Sequence, residues 1–132
     1  MEKGNHKMTE KIMQGIHAHI QDLSGFDQIE IIEIAPGHSR LKATVNESMK
    51  NLYGAIHGGA LYTLCDMAAG MTAYAYGVSN VTLSGNINYV RPARVGTVFI
   101  TCDTLHKGRS TIVQDVQIKD AEEKLLCTAR MT

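Results

Sequence analysis

Cysteine is scarce in this sequence. The 132 residues hold three, Cys65, Cys102 and Cys127, and no two of them form a CxxC pair. Such spacing gives no support to a metal site or a disulfide framework, so all three are expected as reduced core residues. An excess of either charge is also missing: thirteen Lys plus Arg offset thirteen Asp plus Glu, and no basic tract occurs. The electrostatic footprint that nucleic acid or an acidic membrane surface requires is therefore absent. The opening MEKGNHKMTEKIMQ interleaves charges and lacks the continuous apolar core of a signal peptide, so a cytoplasmic location is expected. There is no internal repeat, and the length suits one domain with a substantial core.

What is present is organised around Asn51 to Val78, NLYGAIHGGALYTLCDMAAGMTAYAYGV. From His57 onward this stretch carries one formally charged residue, Asp66. The run from Leu61 to Val78 has the length of a membrane span, but two Gly, two Thr, three Tyr and Asp66 make it a buried helix of a soluble fold. At about 100° per residue, Leu61, Leu64, Cys65, Ala68, Thr72 and Ala75 share one side, the pattern of a buried face. Asp66 points elsewhere, beside Gly59, Tyr62, Ala69, Gly70 and Ala73, and its carboxylate is expected inside the protein. Such a group is either the structural partner of a core Arg or a functional acid with room beside it for a ligand or a second backbone. Cys65 next to it lies on the apolar face, which argues against a nucleophilic thiol.

His57-Gly58-Gly59 is a poor helix start, since each Gly costs about 1 kcal/mol relative to Ala. The gain is access: unpaired N–H groups and the positive end of the helix dipole lie open to a polarised oxygen. A tight loop needing glycine backbone angles is the alternative.

Around this element the periodicity changes in order. Met8, Ile12, Ile16, Ile20 and Leu23 recur at helical spacing up to a Ser24-Gly25 stop, giving an amphipathic helix over residues 1–25 that covers one end of the core. IEIIEIA, the Pro36-Gly37 turn and LKATV read as a β-hairpin. After the helix come NVTLSGNINYV, TVFITCDTLH, STIVQDVQIK and KLLCTARMT, separated by turn-forming segments. The order of helix, two strands, long helix and four strands predicts an α+β domain over 26–132, with an antiparallel sheet curled around the central helix. Exposed sheet edges and the small-residue side of that helix invite a second subunit.

With Asn51-x-x-Gly54-x-x-His57-Gly58-Gly59 followed by x6-Asp66, the chain resembles the hotdog-fold acyl-CoA thioesterases of the phenylacetate-pathway (PaaI-like) type. Supporting matches are the Pro36-Gly37 hairpin, a strand from Thr82 to Tyr89 followed by Arg91-Pro92-Ala93-Arg94-x-Gly96, and the Lys107-Gly108-Arg109 turn. The resemblance implies a hotdog fold, dimers that pair into tetramers, and hydrolysis of acyl-CoA thioesters without metal or cofactor. It implies Asp66 as the catalytic carboxylate, the Gly58 N–H as the group polarising the thioester carbonyl, Asn51 and His57 in support, and Thr82 as a hydroxyl placing the attacking water. The CoA groove would be lined by Tyr89, Val90, Arg91, Pro92 and Arg94, and by His106, Lys107, Gly108, Arg109 and Ser110, with Gly59 beside the helix start.

Read without the resemblance, several of these residues keep two meanings. Asn51 either holds a ligand through its amide or caps a turn, and His57 is either structural or catalytic. Arg91, Arg94, Lys107 and Arg109 are either phosphate ligands or ordinary surface charges. Met49, Met67 and Met71 either line an adaptable apolar pocket or fill the core. A non-catalytic acyl-CoA sensor and a hotdog dehydratase are the rival functions; Asp66 disfavours the first, and the motif positions the second. Helix geometry adds one step. Gly58 and Asp66 are eight residues apart, about 12 Å along the axis, too far to act on one carbonyl carbon. Two antiparallel central helices across a two-fold axis would join Asn51, His57 and Gly58 of one subunit to Asp66 and Thr82 of the other.

Overall fold

The computed structural model describes residues 8–22 and 29–132. The expected Ser24-Gly25 stop, the boundary between residues 25 and 26, and the polar first seven residues lie outside them. Helix α1 (Glu10–Asp22) is followed by strands β1 (Ile29–Ala35) and β2 (His38–Val45), a short 3-10 turn (Glu47–Met49) and the long helix α2 (Gly58–Tyr74). Strands β3 (Gly85–Tyr89), β4 (Gly96–Lys107), β5 (Ile112–Asp120) and β6 (Leu125–Met131) complete the chain. They form one six-stranded sheet in the order β1-β2-β4-β5-β6-β3, with every pairing antiparallel. β1 and β3 are its edges.

Alternation along β2 turns Ser39, Leu41, Ala43 and Val45 inward, and β4 and β5 do the same with Val98, Ile100, Cys102, Gln114, Val116 and Ile118. These residues meet Leu61, Leu64, Cys65, Ala68 and Thr72 of α2, the face read from the sequence. The parity break in IEIIEIA is absorbed by a bulge between Ile31 and Glu33. Ile29, Ile31 and Ile34 pack on the core, while Ile32 is left exposed. In α1, Ile16 is buried, and Gly15 lets the helix approach Tyr74 so closely that a Cβ there would sit 3.0 Å from the Tyr74 hydroxyl. No helix among the described residues is long and apolar enough to cross a membrane.

Two buried polar ties fix α2 on the sheet. The Thr72 hydroxyl donates to the Ala68 carbonyl at 2.7 Å, so its contact with Ser39 Oγ, also 2.7 Å, is donated by Ser39. Gln114 Nε2 donates to the Ala69 carbonyl at 2.6 Å while its Oε1 accepts from Thr104 at 3.0 Å. Neither tie was visible in the sequence, where the three residues carrying them read as ordinary strand and helix positions.

One expected strand begins late. Thr82 to Ser84 precede β3, whose ladder to β6 starts at Gly85. Asn80 Nδ2 is held by the Gly70 carbonyl at 3.2 Å and Thr82 by Asp66, while Leu83 and Ser84 bond to Thr132, just past the end of β6 at Met131, so the regular ladder has no further partner here. At Gly85 the Tyr62 hydroxyl and the Met131 sulfur occupy the space a Cβ would need.

Candidate active site

The loop before α2 is built by Asn51. Its Oδ1 accepts from the backbone N–H of Tyr53 at 2.9 Å and of Ala55 at 3.2 Å, so the capping alternative describes its oxygen. The Asn51 N–H donates to the Ala55 carbonyl at 2.7 Å, and Gly54 takes a φ of +80° that favours glycine. His57 donates its backbone N–H to the Met49 carbonyl at 2.8 Å and forms the N-cap, its exposed ring making no capping bond. Among the described residues no hydrogen bond is made by the Gly58 or Gly59 N–H. A Cβ at Gly59 would meet open space, so the helix start is accessible on that side. At Gly58 the opposite holds: Tyr89 packs directly on it and donates its hydroxyl to the Gly58 carbonyl at 2.7 Å.

Gly58, Asn51 and Tyr89 line a groove of about 440 Å³ together with Val90, Arg91 and Pro92. Arg91 Nη1 donates to the Leu125 carbonyl at 3.0 Å, and Arg94 Nη1 reaches the Gly54 carbonyl at 3.5 Å. Both side chains remain exposed. One part of the predicted set, Asn51, Gly58, Tyr89, Val90, Arg91 and Pro92, thus lines a single groove of the chain.

Asp66 and Thr82 lie together elsewhere. Thr82 donates its hydroxyl to Asp66 Oδ1. Asp66 is half-buried, not enclosed as expected: its side of α2 is left partly open because β3 covers it only from Gly85 onward. Thr82 and Ser110 line a cavity of about 240 Å³ with Gly70, Asn80 and Gln114. Gly70 and Asn80 also border a cavity of about 340 Å³ between α1 and α2, walled by Met67, Met71, Tyr74 and Ile16. Met49 is core and does not line it. In the β4–β5 turn, the Gly108 N–H donates to the Thr111 carbonyl at 2.8 Å, a Cβ on Gly108 would lie 3.1 Å from His106 Nε2, and Lys107 Nζ lies 5.3 Å from the centre of the Tyr76 ring. Arg109 is exposed.

All three thiols are buried, and two of them are held protonated, whereas the hydrogen bond with Cys65 lowers the pKa of Cys127. A hydrogen bond to Cys127 and burial hold the Cys65 thiol far above its ordinary pKa, and burial pushes Cys102 up to about 12. Asn80, which lines both cavities and bonds to the Gly70 carbonyl, was not singled out from the sequence, where its signal was the short polar run Ser79-Asn80 just ahead of Thr82.

Residues 53–127 match the Thioesterase superfamily. The chain belongs to that superfamily. This thioesterase-superfamily chain is 32% identical over 107 residues to a 1,4-dihydroxy-2-naphthoyl-CoA hydrolase of Listeria monocytogenes, covering 79% of this chain and 87% of that one. It is 29% identical over 126 residues to the acyl-coenzyme A thioesterase PaaI of Escherichia coli, covering 93% and 90%. Among solved structures, a hypothetical thioesterase protein with coenzyme A from Streptococcus pneumoniae superposes with a TM-score of 0.83 at 34% identity, over 90% of this chain and 92% of that one. Variants of that protein carry alanine for an aspartate and for a threonine sixteen positions further on, the separation of Asp66 and Thr82 here. The hotdog fold and the PaaI-like resemblance expected from the sequence are both borne out.

Proposed function

We propose that this protein is an acyl-CoA thioesterase whose active site is shared between two subunits. The observation that carries the reading is the Asp66–Thr82 pair, set apart on α2 from the unpaired N–H groups at its glycine start. Eight residues separate Gly58 from Asp66, about 12 Å of helix, so one chain supplies the oxyanion donors and another the carboxylate. The unpaired outer edge of β3 and the exposed Val81, Leu83 and Val90 beside it support a second copy at this face, and pairing of such dimers into tetramers extends the same reading.

In the proposed reaction the thioester carbonyl oxygen lies at the Gly58 N–H of one subunit, where charge develops on it. Asp66 of the other subunit, with Oδ1 held by Thr82, takes a proton from water through Oδ2. The water oxygen bonds to the carbonyl carbon, the C–S bond breaks, and the CoA thiolate leaves to be protonated, giving free acid and CoA. Direct attack by Asp66 would instead pass through a mixed anhydride. His57 stands at the mouth of the helix start. CoA lies along the groove of Val90, Arg91 and Pro92, with Arg94 and, from the β4–β5 turn, His106, Lys107, Gly108, Arg109 and Ser110 toward its phosphates. The acyl group extends past Met67 and Gly70 into the cavity between α1 and α2, whose size and mixed lining suit an aryl or short aliphatic acyl group.

Thiol release measured on a panel of aryl and aliphatic acyl-CoA esters tests this reading. At least one ester should be hydrolysed, and Asp66→Asn should slow it by about 10²-fold or more. A protein that binds acyl-CoA without releasing thiol is a sensor, and the thioesterase reading fails.

A further inference from the structure

The family resemblance groups Tyr89 with the residues that touch CoA, but the geometry points to a different role: Tyr89 is a positioning residue that clamps the first peptide of α2 and so fixes the glycine end of the helix, where the Gly58 N–H used in catalysis lies beside that of Gly59. Its hydroxyl donates to the Gly58 carbonyl at 2.7 Å. Its ring fills the space of the missing Gly58 side chain, since a Cβ there would lie 2.8 Å from Cζ and 2.9 Å from the hydroxyl oxygen. Residue 58 is therefore glycine because Tyr89 lies on it, a steric demand separate from any approach of substrate.

The clamp is anchored in the sheet. Tyr89 pairs with Cys127 on β6, and the next two residues, Val90 and Arg91, donate their N–H groups to the Leu126 carbonyl at 2.8 and 3.2 Å. The Gly58 carbonyl shares its peptide group with the Gly59 N–H. A bond donated to that oxygen draws electron density through the amide and makes the Gly59 N–H a stronger donor, as in any chain of hydrogen bonds. It also stops two successive glycines, the most mobile residues in a backbone, from reorienting the helix start. Burial raises the Tyr89 pKa, so the phenol keeps its proton and remains a donor.

This inference rests on the proposed use of the Gly58 end of α2 as the oxyanion site. Tyr89→Phe keeps the ring and removes only the hydroxyl. It should lower kcat for the best acyl-CoA by roughly 5–20-fold, the loss of one hydrogen bond. KM and the affinity for free CoA by calorimetry should stay within roughly twofold. A raised KM and weakened CoA binding at unchanged kcat would make Tyr89 a CoA contact and overturn the inference, as would unchanged kcat and KM together. A wild-type protein inactive on every ester refutes the thioesterase reading, and the clamp is then tested alone. In a ¹H–¹⁵N spectrum of Tyr89→Phe the Gly58 and Gly59 amide peaks should move more than those of the sheet; peaks that stay in place refute the clamp.

Discussion

Replacing Thr82 with valine keeps the shape of the side chain and deletes the hydroxyl that reaches Asp66 Oδ1. A hydrogen bond to a charged group contributes about 1.5–3 kcal/mol, but Thr82 is exposed and Asp66 half-buried in the single chain. Solvent competition places the loss nearer about 1–2 kcal/mol. If the bond orients the carboxylate in the transition state, that loss becomes a roughly 5–30-fold fall in kcat. Folding should barely register it, because Thr82 lies before the β3 ladder in an exposed segment, and Tm should stay within about 3 °C of wild type. Thr82→Ser should restore most of the rate. The assay is thiol release under saturating acyl-CoA, run beside a thermal melt of each variant. Thr82→Val at wild-type kcat would refute the argument, and so would a loss of rate matched by an equal loss of folded protein.

His38 bonds to Asp103 at 2.6 Å and to Glu33 at 3.0 Å, and these bonds raise its pKa above 6.5. The cluster therefore contributes its stability in full below the unfolded value and loses it as pH rises through the folded value, modestly because the ring is partly exposed. The Tm advantage of wild type over His38→Gln should shrink from about pH 6 to about pH 9; a constant difference would contradict it. Thr72→Val strands the buried Ser39 hydroxyl and should cost about 1–3 kcal/mol in denaturant unfolding, with Ser39→Ala added to it recovering part; additive losses would contradict the pairing. Gly70→Leu places a side chain where two cavities meet and should remove activity on the bulkiest ester accepted while sparing acetyl-CoA; an unchanged order of preference would put the acyl group elsewhere.

The buried face of α2 and the paired strands were legible because a single period decides each of them. Leu61, Leu64, Cys65, Ala68 and Thr72 leave α2 one way to face the sheet, and the hairpin at Pro36-Gly37 needs only local turn chemistry. The late start of β3 was not legible. Asn80 and Thr82 meet Gly70 and Asp66 on another element, while Leu83 and Ser84 find only Thr132 past the end of β6, and a period-two pattern carries no record of such partners. Gly58 was legible as a candidate and illegible as a contact: a glycine in sequence marks missing volume without saying which side chain, here that of Tyr89, occupies it. The ties of Gln114 to Ala69 and Ser39 to Thr72 were hidden for the same reason, since each joins residues more than thirty positions apart.

The central claim is that neither chain alone completes a site, and mixing two inactive variants tests it. Asp66→Asn removes the carboxylate, while Gly58→Ala drives a Cβ to 2.8 Å from the Tyr89 ring and displaces the donor end of α2. Each homodimer should be inactive. After unfolding and refolding together at equal amounts, half the dimers carry one of each chain and one intact site of two, so activity should return to roughly a quarter of wild type. Heterodimers proven by native mass spectrometry that remain inactive would contradict the shared site.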